Sequence, residues 1–291
     1  MIAKKKVKKA NVWVTVVLVF CFILTMLPVY VMIVNSFKTP NQLLDNVLWF
    51  SFPLYFKNYA DAFNRIFPYI WNSVTISVVS TVGITFIAAL TGYAFGHFEF
   101  PGKKFLFTLV IVNMMIPGIL TLVPSYLVVV KIGIYNTQFA LLLPYLATGS
   151  IMGIYLVRGF VEQLPKTIFE AGKMDGISEF QSFVYIAIPL IKTILTTVSI
   201  LALLNCWNDI VWPMLVLDSD SIKTIPLGLV EFNQQQGANK GALFAGYILA
   251  SVPLLIYFML NLRSFMDSFG QLRCPLSSCS ATRRNPKQQS S

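Results

Sequence analysis

Residues 162–190 read EQLPKTIFEAGKMDGISEFQSFVYIAIPL, the longest break between hydrophobic runs in the second half of the chain. The stretch is polar enough to lie in water, yet it keeps apolar residues at helical spacing. Pro165 and Lys166 stand where a first helical turn begins, and Pro suits that position because its missing N–H has no intrahelical partner. Ile168, Phe169, Gly172 and Met174 continue a short helix. Gly176 is placed to end it, since Gly enters the left-handed C′ conformation without steric cost. Ser178 can cap a second helix with Glu179 in its first turn, and Pro189 closes that helix at a membrane surface. The reading is helix, tight turn, helix. Small residues at Ala171, Gly172 and Gly176 would let another surface approach the backbone closely. Spacing alone is equally consistent with an amphipathic loop resting on lipid headgroups.

On both sides of this stretch the chain is apolar. Of its 291 residues 56% are hydrophobic and 12% charged, against about 25% charged in a soluble domain. The excess falls in runs longer than about 18 residues, the length a helix needs to cross a bilayer core. Six spans are expected, at 12–34, 69–95, 105–129, 138–158, 191–217 and 242–262, the third broken by Pro117 and Pro124. The fold class is an all-α polytopic membrane protein. One membrane domain covers 12–263, with a basic tail at 1–11 before it and a polar tail at 264–291 that reads as disordered. Residues 35–68 read as a polar loop rich in aromatics. Residues 218–241 read as a second polar loop, in which Gln234, Gln235, Gln236 and Asn239 either bond a sugar or a docked receptor or, as the simpler reading has it, are solvated.

The net charge of +10 does not point to nucleic acid, because the positive residues sit in short segments beside the hydrophobic runs. That is the positive-inside pattern. With six spans and an inner N-terminus, sixteen Lys and Arg fall on inner segments and six on outer ones. Both termini and the 162–190 hairpin are therefore expected in the cytoplasm.

Most chemistries are excluded by residue type. The cysteines at 21, 206, 274 and 279 have no metal-site spacing, and His97 is the only histidine, so neither a zinc site nor a catalytic constellation is expected. Gly96 and Gly102-Lys103 miss the phosphate-loop spacing, and Lys104 stands where Ser or Thr is needed. No catalytic residue, metal or cofactor is assigned to this chain. The span at 191–217 carries Asn205, Asn208 and Asp209 near its outer end. A charged residue at mid-span costs about 2.5–3.5 kcal/mol on insertion scales, so Asp209 is expected to face a partner or water. One reading makes these three residues a wall of a solute path. The other is an interfacial anchor of Trp207 and Trp212 with Asp209 turned outward.

The hairpin carries a resemblance. Glu170-Ala171-Gly172, Asp175-Gly176 and Ile188-Pro189-Leu190 resemble the EAA loop of permease subunits of binding-protein-dependent ABC importers, with Gly172 for the second Ala. Three further segments are similar to the sugar-permease branch, which pairs with a second, longer permease. They are Asn58-Tyr59 with Phe63, the segment KIGIYNTQFALLLPY from Lys131, and the Trp207-Asn208-Asp209 stretch with Trp212-Pro213. The segment QLRCPLSSCSATRRNPKQQSS at the C-terminus departs from the branch's short Gly-rich end. The resemblance implies a bacterial inner-membrane permease forming half of a path for a sugar or oligosaccharide. It implies a second permease, two ATPase subunits that bind the ATP, and an extracytoplasmic solute receptor. It places coupling to the ATPase on Glu170, Ala171, Gly172, Asp175 and Gly176. The alternative, an ion-coupled secondary transporter, would rest on Asp209 as its one intramembrane carboxylate.

Overall fold

The computed structural model describes residues 12–236 and 239–271. All regular elements among them are helical. Helix α1 runs Val12–Ser36, α2 Pro40–Asp45, α3 Lys57–His97, α4 Lys103–Met115, α5 Gly118–Lys131 and α6 Phe139–Val161. Then follow α7 (Lys166–Met174), α8 (Glu179–Gln181), a π turn at Ser182–Ala187, and α9 (Ile188–Asn208). The last are α10 (Val211–Val216), a 3₁₀ turn at Asp220–Ile222, α11 (Ile225–Gln236) and α12 (Lys240–Gln271).

Among the described residues, five stretches are single helices long and apolar enough to cross a membrane. The expected third span is different. Its two halves, α4 and α5, meet at an angle of 103°. Thirteen and fourteen residues give helices of roughly 20 Å, each short of a bilayer core of about 30 Å. The break is at Ile116-Pro117. Ile116 is extended, as the residue before a proline prefers, and Pro117 caps α5. Pro124 lies inside α5 without ending it.

Other boundaries also depart from expectation. The 35–68 loop contains α2, and its last twelve residues belong to α3, which passes through Pro68. Thr39 and Gln42 form a reciprocal capping box that starts α2. The 218–241 loop contains α11, whose Leu229 and Phe232 are buried. Helix α12 extends to Gln271, so the backbone of 264–271 is helical rather than disordered. The basic tail at 1–11 and residues 272–291 lie outside the described residues, as do Cys274 and Cys279.

Two compact units divide the chain, with boundaries at Pro68, at Gly228 and at Pro253. In the first unit, α1 carries an apolar window that is exposed among the described residues. Beyond its end, Asn58 is fully buried and donates from Nδ2 to the carbonyls of Ser36 and Lys38, both at 2.9 Å. This explains why the Asn-Tyr segment is built as it is: Asn58 closes the chain reversal after α1, and Tyr59 bonds Ser36 at 2.8 Å. Lys38 is also fully buried, its ammonium donating to the Asn46 carbonyl at 2.6 Å. Desolvation lowers its pKa from the ordinary lysine value.

In the second unit, α3, α6 and α9 pack closely because small residues face large ones. A Cβ on Gly153 would lie 2.7 Å from Ala88 Cβ and 2.9 Å from Val198 Cγ1, and one on Gly92 would lie 2.6 Å from Val157 Cβ. A core around Tyr93, Val157, Phe169, Phe183 and Ile191 occupies one end. A smaller one around Val129, Leu141, Trp212 and Val216 holds α5, α6 and α10 together.

Candidate functional site

The hairpin forms largely as its residues dictate. Pro165 is the N-cap of α7, one position earlier than expected. Gly176 adopts φ +80°. Its N–H bonds the Lys173 carbonyl at 3.0 Å, and the Ile177 N–H bonds the Gly172 carbonyl at 3.1 Å. These two bonds make a Schellman motif, which satisfies the last carbonyls of α7 and turns the chain. Ser178 then forms a reciprocal capping box with Gln181. Pro189 does not close this second helix. The chain runs from Glu179 to Asn208 as one span-length helix. The π turn makes that possible: Ile188 donates to the Phe183 carbonyl five residues back. The wider turn relieves the clash a proline ring otherwise makes with the preceding turn.

Aromatic side chains bolt the hairpin to the end of α3. Phe169 is buried and its ring centroid lies 4.5 Å from that of His97, which stacks on Tyr93 at 5.0 Å. Phe183 meets Tyr93 at 5.1 Å. Glu179 accepts from Lys173 at 2.6 Å and lies 3.8 Å from His97. That carboxylate holds the Lys173 ammonium above the usual lysine range. Nearby, Arg158 bonds Glu162 at 2.8 Å and sits 3.5 Å from the centroid of the Phe107 ring, clamping the end of α6 to α4.

Of the five residues assigned to the hairpin, Glu170, Ala171, Asp175 and Gly176 are exposed. Gly172 is buried and faces inward: a Cβ there would lie 2.7 Å from the Ile186 tip. It shares a face with Phe169, three residues before it on α7. Two residues not singled out for this face stand out instead, Met174 at 88% exposure and Phe180 at 71%. Their signal was present in the sequence as large apolar residues within an otherwise polar stretch.

The second cluster sits where α9 ends. Asn205, Asn208 and Asp209 line one cleft of about 600 Å³, together with Ile84, Tyr145, Thr148 and Gly149. Asp209 lies between α9 and α10. One carboxylate oxygen accepts from the Tyr145 hydroxyl at 2.9 Å. The other accepts from the N–H groups of Val211 at 3.1 Å and Trp212 at 3.3 Å. The carboxylate thus satisfies the first N–H groups of α10 and is fixed in place. Trp207 and Trp212 are buried, and the Trp212 indole donates to the Ala140 carbonyl at 2.9 Å. They are core residues, so the interfacial-anchor reading fails. A second cleft, lined by Gly118, Ser125 and Trp212 among others, shares Tyr145, Thr148 and Asp209.

Residues 88–268 match the family described as binding-protein-dependent transport system inner membrane component. The chain belongs to that family. It is a multi-pass membrane permease of an importer and not an enzyme. The permease is 31% identical over 270 residues to the arabinooligosaccharides transport system permease protein AraQ of Halalkalibacterium halodurans, covering 90% of this chain and 96% of that one. Its fold is similar to a subunit of a bacterial ABC transporter involved in the import of the acidic polysaccharide alginate. The TM-score is 0.74 at 18% identity, covering 91% of this chain and 100% of that one. A bacterial alginate ABC transporter in complex with alginate pentasaccharide-bound periplasmic protein gives 0.60 at 16% identity, covering 88% and 95%.

Proposed function

We propose that this permease forms half of the path for a sugar or oligosaccharide, and that its 162–190 hairpin receives the motion of a separate ATPase subunit. A second permease completes the path, two ATPase subunits bind the ATP, and an extracytoplasmic receptor delivers the solute. The hairpin and both termini lie on the cytoplasmic side of a bacterial inner membrane. The carrying observation is the hairpin itself. It is a two-turn helix held rigidly against α3 and running into a span through α8 and the π turn, while Glu170, Ala171, Met174 and Asp175 are left uncovered. A surface so anchored transmits force, because pushing on α7 moves the packed ring cluster with it. The excess of Lys and Arg on the hairpin side supports its cytoplasmic placement. Arabinooligosaccharide transport by a relative supports a saccharide cargo. Asn205, Asn208 and Asp209 belong to the path wall. ATP acts through differential binding, since it and the loaded receptor must favour one state of the permease pair over the other.

The test is gentle purification of the tagged permease from its native membrane, followed by identification of what accompanies it and assay of ATP turnover. A second permease and an ATPase are expected, with turnover lost in Met174→Asp while the two permeases still purify together. A chain that purifies alone and moves solute without ATP would overturn the proposal.

A further inference from the structure

From the cleft at the end of α9 we infer that this permease is charge-selective: the path wall admits neutral saccharides and rejects acidic ones such as uronates, with Asp209 as the selecting residue. The inference rests on the reading of that cleft as part of the solute path. Three observations carry it. The cleft volume of about 600 Å³ is that of an ordinary small-molecule site. Its polar lining is of the kind that recognises hydroxyl groups, since Asn205 and Asn208 offer amide donors and acceptors and Thr148 offers a hydroxyl. Its one charged side chain among the described lining residues is Asp209, with no Lys, Arg or His beside it.

The geometry keeps that charge in place. Three donors from two helices hold the carboxylate at the break between α9 and α10, so it cannot swing away from a passing solute. Those donors use three of roughly four acceptor positions on the two oxygens. Asp209 lines the cleft, so the remaining position can accept from a sugar hydroxyl. A solute carboxylate brought to the same place finds only neutral donors and no cation in exchange for its water, and it meets a fixed like charge in a setting less polar than water. A neutral sugar gains a hydrogen bond where an acidic one meets repulsion, so the same residue both accepts and discriminates.

Because a receptor also selects solute, the test reads the cleft directly. Asn208→Cys is introduced with Cys21→Ser in the assembled permease complex, and the complex without the new cysteine gives the background from the remaining thiols. The probes are a cationic and an anionic methanethiosulfonate of similar size, each rate being taken relative to that reagent's rate with a small free thiol, because the reacting thiolate by itself favours the cation. The cation is expected to label position 208 about tenfold faster or more. That preference should shrink in high salt and fall to near parity in Asp209→Asn. Maltotriose should slow labelling more than trigalacturonate does. Equal rates for the two reagents at low salt would overturn charge selection and leave the path reading standing. A cysteine that neither reagent reaches, in a complex still turning over ATP, would overturn both. Should Asp209→Asn fail to assemble, the salt series on the intact carboxylate decides alone.

Discussion

Tyr145 donates to the Asp209 carboxylate across 2.9 Å, from the second turn of α6 to the break between α9 and α10. The bond joins two helices at the one place in α9–α10 where the backbone ladder is interrupted. A hydrogen bond to a charged group contributes about 1.5–3 kcal/mol. Here cleft water can take over part of the tyrosine's role, which places Tyr145→Phe at about 1–2 kcal/mol of destabilisation. A fall of a few degrees in the unfolding midpoint of the detergent-solubilised complex is expected. The charge at Asp209 survives in this variant, so the preference for cationic over anionic reagents at position 208 should persist. Loss of that preference would mean that the hydroxyl, not the carboxylate, sets the field.

Asn136 closes the turn between α5 and α6 and is predicted to be among the least replaceable residues there. It sits at φ 57°, a conformation that costs most L-residues about 1–2 kcal/mol. Its Oδ1 accepts from the N–H groups of Asp218 and Ser219 at 2.9 and 3.0 Å, and its Nδ2 donates to the Ser219 hydroxyl at 2.7 Å. Asn136→Ala loses both the bonds and the conformational tolerance, for a loss of about 3 kcal/mol. Asn136→Gly keeps the tolerance and should lose about 1 kcal/mol less. Paired unfolding measurements on the two variants separate the contributions. Equal losses would show that the backbone conformation is relaxed in the native state.

These two sites differ in how far the chain announced them. The spans were legible because the bilayer imposes a run length that no soluble helix needs. The α7 turn was legible because Gly176 and Ser178 are local signals whose partners lie within a few residues. Proline was the poor guide. Pro117 breaks a span, while Pro68 and Pro189 lie inside continuous helices, and what separates the cases is the state of the preceding turn. Before Pro189 that turn is π-wound, a feature of backbone spacing with no residue signature of its own. The loop resemblance assigns Gly172 to the coupling contact, but small residues serve a docking surface and a tight internal contact equally well. Phe169, one turn earlier on the same face, held the answer. Asp209 was recognised as needing a partner, but a tyrosine 64 residues away could be named only once the fold brought α6 beside it.

The packing of α3 against α6 predicts a sharp contrast between glycines. A Cβ at Gly92 would meet Val157 Cβ at 2.6 Å and the Arg158 backbone nitrogen at 3.1 Å, atoms that cannot swing aside. Gly92→Ala must push the helices apart and should lose about 1–3 kcal/mol. Gly159, on the same α6, has nothing within 4 Å of its Cβ position. Gly159→Ala should be neutral or stabilising by up to about 1 kcal/mol through helix propensity. Fluorescence-detected size exclusion after a heating series reads both variants in one experiment. Equal tolerance at the two positions would contradict the close approach of α3 and α6.

The hairpin prediction turns on which way each residue faces. Gly172 points at the tip of Ile186, the far end of a flexible side chain. Gly172→Ala asks only for a rotamer change and gains helix propensity of about 1 kcal/mol, so uptake should be retained and stability held or raised. Gly172→Glu forces a carboxylate against Ile186 and the buried Phe169, lifting α7 from its seat. It should lower the unfolding midpoint as well as uptake. Met174→Asp and Phe180→Glu act on exposed positions, where surface substitutions change stability by less than about 0.5 kcal/mol. They should leave the midpoint unchanged while abolishing co-purification of the ATPase, because an apolar contact at the centre of an interface is lost and a charge is buried in its place. Melting curves and partner recovery, measured on the same preparations, sort the four variants into three classes. If Gly172→Glu lost the ATPase with an unshifted midpoint, Gly172 would be a contact residue and the inward placement would be wrong.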